Sequence, residues 1–490
     1  MGVLSNHCRG IGPPGLLGYK AIYALYFSPL RHIPGPFLAR ITSKRNQIIS
    51  MIGKIGHYAQ HEYDTYGDLY VLEPNAVAIS NPSDIRTVFG SHAFLKSSFY
   101  EALNVFGIPN TVSAMDPTFV GMRKRQLGPY FNPVYLGKME PAILKHGYLA
   151  LKNAWEERIA HSPNGKISIN YMKDFALATF DTIGALAFGQ EFNGLKHNND
   201  DVAKWASATI ILHGTRAAVP LTKYFPFSLL LRPLEAKFKR LSEFCDKAIA
   251  SRKELLRVGA EKPVDLLQAF IDAEDPESKT TMDDLQVKVE SIVAMSAGSD
   301  TSSVSLTWTI FLLMVHPEIY AKARDQVRSN FPVDHVITYA EARSKLSFVK
   351  ACLYESLRLC PVGGGYLPRV SPPGGITLQG HFIPPGMEIY VNFPGVSHHA
   401  SAWTDPLKYD PARFLNNDEA HRNLFTFGPG VRMCPGRHLA KIEMLTILSN
   451  MLKDFDMALP EDYTHLGPDI LDANVHILVT EPVDPKRDCQ

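Results

Sequence analysis

The stretch Phe427-Gly428-Pro429-Gly430-Val431-Arg432-Met433-Cys434-Pro435-Gly436 carries glycine at three positions and proline at two. It presents one cysteine immediately before the amphipathic run Arg437 to Leu452. Glycine lets backbone approach a flat ligand closely and adopt a positive φ, and Pro435, which has no N–H, suits the first turn of a helix. Cys434 therefore falls at a predicted helix start. Unpaired N–H groups and the positive end of the helix dipole are expected to lower a thiol pKa there and to hold a thiolate. Such a sulfur beside an arginine suits the axial position of a metal. A lone cysteine in a glycine turn, taken without its neighbours, reads instead as a structural residue.

Spacing separates the two readings. The pattern Phe-x-x-Gly-x-Arg-x-Cys-x-Gly fixes five residues, and a chain of this length would match it by chance about once in ten thousand. It resembles the haem-binding loop of the cytochrome P450 superfamily. The resemblance implies that Cys434 is the proximal thiolate of haem iron, that Arg432 pairs with a haem propionate, that Phe427 packs by the sulfur, and that Gly430 and Gly436 leave room for the porphyrin. It also implies a mainly α fold with a small β-sheet region, in which haem b lies between a long distal helix and the helix after the cysteine loop.

By length alone, 490 residues would suggest about three domains, and 45% hydrophobic residues supply a large core. The resemblance points instead to a short apolar membrane-associating segment over 1–32 and one catalytic domain over 33–490. Net charge is +1, which offers no bulk electrostatic reason to expect a nucleic-acid partner. The six cysteines, at 8, 245, 352, 360, 434 and 489, form no C-x-x-C pair, no c-type haem motif and no zinc spacing. A reducing compartment suits that pattern.

Residues 15 to 28 are apolar and aromatic but broken by Lys20. A membrane span needs about 20 apolar residues, and no small-residue cleavage site follows, so the expectation is an interfacial segment with its tyrosines at headgroup level. The alternative is an apolar element packed on the domain. His32-Ile33-Pro34-Gly35-Pro36 is a stiff connector and resembles the proline hinge of microsomal family members; Tyr26-Phe27-Ser28-Pro29-Leu30 resembles fungal members of secondary metabolism. Asp68 to Ser80 reads as two short strands around Glu73-Pro74-Asn75. Residues 97 to 117, with Phe99, Phe106, Ile108 and Pro109, make a loop long enough to be functional, and in the family this region covers the substrate.

Arg123-Lys124-Arg125 reads either as a solvated face or as a cofactor contact. The family places a tryptophan or histidine four residues before a propionate-binding arginine, and this chain departs from that pattern at the matching positions. The matching pairs here are Val120 with Lys124, or Phe119 with Arg123 in the other register, and a further use of these charges is docking of an acidic redox partner. Residues 138 to 190 and 200 to 256 carry helical periodicity, the second with Tyr224-Phe225-Pro226-Phe227 as a lid over the substrate entrance.

Thr281-Met282-Asp283-Asp284 resembles a capping box, and helical patterning then runs to His316-Pro317. About 34 residues at 1.5 Å rise give roughly 50 Å. In its middle, Ala297-Gly298-Ser299-Asp300-Thr301-Ser302 weakens the backbone ladder, which predicts a kink or widened turn, or else a patch where another helix packs closely. The stretch matches the family's (Ala/Gly)-Gly-x-(Asp/Glu)-Thr-(Thr/Ser) pattern. That match implies that Ala297 borders haem and substrate, that Thr301 hydrogen-bonds activated dioxygen, and that Asp300 feeds protons through water.

Glu355 and Arg358, three apart, share a helix face. In the family such a pair is buried and joined by a downstream arginine, and Pro411-Ala412-Arg413-Phe414 supplies Arg413, a structural role. After Pro361, Val362-Gly363-Gly364-Gly365 is followed by no Gly-Lys-Ser or Gly-Lys-Thr, and Gly428-x-Gly430-x-x-Met433 fails the dinucleotide pattern, so flavin and nicotinamide domains are not expected. By resemblance Arg369 is a second propionate ligand, and Val362 and Gly363, like Phe106, face the substrate. His398 and His399, being adjacent, point apart and read as hydrogen-bonding residues.

Together the motifs imply a haem-thiolate monooxygenase that inserts one oxygen atom of O2 into a small hydrophobic molecule. Electrons would come from NADPH through a separate flavoprotein reductase, at the cytosolic face of the endoplasmic reticulum membrane. An isomerase or dehydratase needing no external electrons, and a non-catalytic haem sensor, are the competing readings; Thr301 and Asp300 speak against both.

Overall fold

The structure is a computed structural model that describes residues 13–199, 201–363, 366–460 and 476–480. Cys8, Cys489, Gly364 and Gly365 lie outside the described residues. The helices that bear on the site are α1 (Pro13–Ile22), α2 (Ile55–Tyr66), α3 (Pro82–Gly90), α4 (Pro117–Leu127), α5 (Tyr171–Phe188), α6 (Asp201–Ala218), α7 (Arg232–Arg257), α8 (Asp284–Met314), α9 (Pro317–Asn330), α10 (Ser347–Leu359) and α11 (Arg437–Asp454). The strands are β1 (Leu69–Glu73), β2 (Ala76–Ile79), β3 (Lys166–Asn170), β4 (Tyr366–Val370), β5 (Ile376–Leu378), β6 (His381–Ile383), β7 (Glu388–Asn392), β8 (Asp456–Ala458) and β9 (His476–Thr480).

The hairpin expected between 68 and 80 is β1 and β2, antiparallel with Leu69 opposite Ile79. β2 runs parallel to β7, which pairs antiparallel with β4, giving the order β1-β2-β7-β4. Alternation buries both faces. Leu69, Val71, Val77 and Ile79 pack with Ile85, Val88 and Phe89 of α3, while Tyr70, Leu72, Ala76 and Ala78 pack with Tyr66 of α2. Arg369 sits on β4 and so is aimed by this sheet. A second sheet, β3-β9-β8, contains a strand that helical periodicity over 138 to 190 did not anticipate. Lys166-Ile167-Ser168-Ile169-Asn170 is short and alternating, and pairing with β9 more than three hundred residues later decides its conformation.

The long helix α8 spans 31 residues, roughly 46 Å. Its cap is Asp283, whose side chain accepts from Gln286 N, so the capping box expected at Thr281 is replaced by a simple Asp cap two residues on. The helix is unbroken through Ala297 to Ser302, against the expected kink. The hydroxyls instead turn back onto carbonyls of their own helix: Ser299 to Met295, Thr301 to Ala297, Ser305 to Thr301 and Thr307 to Ser303. Gly298 meets α5, where an added Cβ would lie 3.0 Å from Ile183 Cδ1, so close helix packing explains this glycine. At His316-Pro317 the chain bends by 110° into α9.

Glu355 and Arg358 of α10 are fully buried and joined by bonds of 2.7 and 2.8 Å, and Arg413 Nε reaches Glu355 Oε1 at 3.2 Å. Arg358 Nη1 also donates to the carbonyls of Ser397 and Pro406, which ties α10 to the long loop ahead of the cysteine stretch. His398 bonds Gln60 and the Leu359 carbonyl, and His399 bonds Asp68, the hydrogen-bonding roles expected of them.

Candidate active site

A cavity of about 310 Å³ lies between the cysteine loop and α8. One wall holds Phe427, Cys434 and Gly436; the facing wall holds Ala297, Gly298 and Thr301; Leu357, Val362 and Gly363 close a third side. The two facing walls are separated by more than a hundred positions in sequence, and the cavity brings them together.

The cysteine loop is set by its backbone. Cys434 N donates to Phe427 O at 2.8 Å, and Gly428 and Gly430 hold φ of +71° and +69°. A Cβ on Gly430 would stand 2.3 Å from the carbonyl oxygen of Phe89. The absent side chain of Gly430 thus makes room for the end of α3, whereas Gly436 lines the cavity. The expected lowering of the Cys434 thiol is not what the surroundings give: burial pushes it up, while the backbone N–H groups of Gly436 and Arg437 and the Arg437 charge pull it down. The helix start is therefore a partial offset, and a bound cation would be needed to hold the thiolate outright.

Across the cavity, Thr301 Oγ1 donates to Ala297 O at 2.8 Å. Asp300 turns off the cavity toward α6, where Ser207 Oγ donates to Asp300 Oδ2 at 3.4 Å. Burial raises the Asp300 carboxyl, and the Ser207 bond opposes this.

Four cations gather at one edge of the cavity. Arg432 and Lys124 line an adjoining space of about 130 Å³ together with Lys96, and buried Arg369 lies behind them, donating to Tyr100 Oη at 3.0 Å. Burial first, then the charges of Arg432, Arg369 and Lys124, bring Lys96 down to about 7. Arg432 Nη1 is buried without a hydrogen-bond partner, and among the described residues none of the four cations forms an ion pair. Lys124 also reaches the Val431 carbonyl. Arg123 lines the same space but carries its Nε to within 3.3 Å of Glu290 of α8, and Arg125 is paired with Asp275. Lys96 and Tyr100 escaped the sequence reading because nothing local marks them; the isolated bridge between Lys96 and Arg369 delivers them.

Phe106 is a second departure. Its ring lies tilted against Phe238 of α7, centroids 5.1 Å apart, and does not line the cavity; the same loop contributes Thr111 and Val112 instead. Two buried carboxylates unmarked by any motif also border the cavity, Glu290 of α8 and Glu443 of α11.

Haem b fits these residues: a sulfur on one face, small residues on the other, and at one edge four cations with no carboxylate partner among the described residues, one of them, Arg432, with a buried unpartnered Nη1. Comparison with known proteins agrees. The family model described as Cytochrome P450 matches residues 33–482. Cytochrome P450 monooxygenase helB1 of Aspergillus fumigatus is 45% identical over 485 residues, covering 97% of this chain and 83% of that protein. Cytochrome P450 monooxygenase helB2 of the same organism is 43% identical over 486 residues, 96% of this chain and 95% of that one. Cytochrome P450 monooxygenase BipB of Cochliobolus sativus is 26% identical over 457 residues, 89% and 87%. In fold, the crystal structure of the cytochrome P450DA heme domain superposes with a TM-score of 0.74 at 20% identity, covering 88% of this chain and 94% of that chain.

Proposed function

The chain belongs to the cytochrome P450 family as a haem-thiolate monooxygenase, and from that premise we propose that Cys434 is its axial thiolate and that it oxygenates a small hydrophobic molecule of fungal secondary metabolism. The observation that carries the site assignment is the cavity itself, with Cys434 on one wall and Ala297, Gly298 and Thr301 on the other. Haem held there supplies the cleavage of dioxygen and the oxidising equivalent, with electrons from NADPH through a partner reductase.

The chain's own residues do the rest. Gly428 and Gly430 fix the sulfur's position, and Arg432, Arg369, Lys124 and Lys96 hold the two carboxylates of the cofactor. Thr301 presents a hydroxyl to the cavity, and Asp300 holds a proton source one residue away, on the side of α6. Ile183, Leu186, Val293 and Val112 exclude water and select apolar substrates.

Membrane contact is supported by an exposed aromatic surface. Tyr23, Leu25, Tyr26 and Phe27 after α1 are exposed, as are Leu221, Tyr224, Phe225 and Leu230 between α6 and α7. No single helix among the described residues is long and apolar enough to cross a membrane. We assign these groups to the cytosolic face of the endoplasmic reticulum, as an interfacial anchor.

The test of the assignment is the absorption spectrum of the dithionite-reduced, carbon monoxide-treated protein. A strongly red-shifted Soret band supports thiolate ligation, and a histidine-like band refutes it. Lys96→Met should speed haem loss to an apomyoglobin acceptor about tenfold, the effect of removing one charge-assisted contact. Thr301→Ala should retain the spectrum while uncoupling: NADPH consumption continues and hydrogen peroxide replaces product. Unchanged coupling would remove Thr301 from proton handling.

A further inference from the structure

The wall of the cavity formed by Thr111 and Val112 belongs to a loop that braces itself. Asn110 Oδ1 accepts from the N–H groups of Val112 and Ser113, and Asn110 Nδ2 donates to Leu103 O. At its front the loop turns through Phe106 and Gly107, with φ of +54° and +75°, and rests on Phe238 of α7. At its back Lys96 Nζ donates to Val112 O at 2.5 Å, and Thr111 is held by one buried carboxylate. Thr111 gives Glu290 both its backbone N–H, at 3.1 Å to Oε1, and its hydroxyl, at 2.7 Å to Oε2. The same Oε1 stands 3.3 Å from Arg123 Nε of α4, and Glu290 is 3% exposed.

Glu290 lies eleven residues before Thr301 on α8. Eleven residues are close to three full turns, so the two side chains leave the same face of the helix, about 16 Å apart. Both border the cavity. The helix that carries the Thr301 hydroxyl therefore also carries the attachment of the Thr111 wall.

We propose that Glu290 is the latch of this wall: through Thr111 and Arg123 it joins the 104–116 loop, α8 and α4, and so sets how bulky a molecule the cavity admits over the Thr301 turn. The inference rests on the reading that this cavity takes haem and substrate. A carboxylate suits the post because its two oxygens can serve the N–H and O–H of one residue while offsetting the charge of Arg123. Glutamine would keep one acceptor, turn an NH2 group toward Arg123 or the Thr111 hydroxyl, and leave the guanidinium unbalanced. Glu290 is a positioning residue here, acting through Thr111.

The experiment compares full-length haem-loaded wild type with Thr111→Val, which removes one bond and keeps the ion pair, and with Glu290→Gln. Hydrogen exchange over residues 104–116 is read beside the association rates of imidazole and of the much bulkier clotrimazole. In both variants exchange in this loop should quicken about tenfold, as loss of one such bond allows, with exchange elsewhere unchanged. Clotrimazole should associate several-fold faster, and imidazole within twofold of wild type. Exchange within twofold of wild type in Thr111→Val overturns the latch, and it decides the matter if Glu290→Gln does not fold. Faster exchange with an unchanged preference between the two azoles overturns the size-setting role. A wild type lacking the thiolate-type spectrum would refute the haem assignment, while loop exchange would still judge the latch.

Discussion

Exchanging Cys434 for serine should give a folded protein with no thiolate-type absorption and no product above background. The two side chains differ little in size, and the loop that carries them is set elsewhere, by the Cys434 N to Phe427 O bond and by the positive φ of Gly428 and Gly430. Shape should therefore survive. What is lost is the sulfur's acidity and softness: an alcohol does not ionise near neutral pH, whereas a thiol held by a cation does so completely. Reduced carbon monoxide spectra, turnover with a competent reductase, and far-ultraviolet circular dichroism on the same preparation separate loss of ligand from loss of fold. A wild-type spectrum in the serine variant would transfer the ligand role away from Cys434.

Glu443→Gln should stabilise the protein at alkaline pH by several kcal/mol. Glu443 of α11 is buried to 4% exposure, and burial pushes its carboxyl up to about 8 against the opposing bonds of Ser302 and Thr182. The Thr182 hydroxyl already donates to Ala178 O at 2.9 Å, so its oxygen would be free to accept from a protonated Glu443, with the Ser302 hydroxyl as the carboxyl's second polar neighbour. The neutral acid therefore satisfies both neighbours. Between the ordinary carboxylate range and about 8, the unfolded chain releases this proton and the native chain keeps it. Stability must then fall as pH rises through that window, by up to about 1.4 kcal/mol per pH unit. Glutamine carries one donor and one acceptor in the same places and does not titrate. Chemical denaturation from pH 5 to pH 8 should show the variant's advantage growing from near zero to about 3 kcal/mol, and parallel curves would remove the protonated-acid assignment.

The motif residues were readable in the sequence because each depends on short-range spacing. The Cys434 loop, the Asp300-Thr301 turn and the Glu355-Arg358 pair are all fixed within ten residues, and even Arg413 is announced by its own Pro-Ala-Arg-Phe stretch. What stayed hidden depends on distant encounters. Lys96 meets Arg369 through a bridge across 273 positions, 369 less 96, and Thr111 meets Glu290 across 179. Gly430 looked like a glycine for the cofactor because pattern cannot reveal that the Phe89 carbonyl fills its space. Phe106 looked like a pocket aromatic because hydrophobicity does not say which neighbour will take the ring. Arg123 and Lys124 stand one residue of helical register apart, about 100°, yet both line the space beside Arg432. What distinguishes them, the reach of Arg123 to Glu290 of α8, is a contact across 167 positions, 290 less 123, that no local pattern announces.

The gathering of Lys96, Lys124, Arg369 and Arg432 also bears on how much of this protein a cell can keep. A chain that folds ahead of its prosthetic group holds like charges together with nothing between them, and its native state is correspondingly poor. Loading adds binding free energy to folding by mass action, so the loaded and empty pools differ in their exposure to degradation. Steady-state abundance should therefore follow the supply of haem more closely than the rate of synthesis, with surplus chains lost to proteolysis.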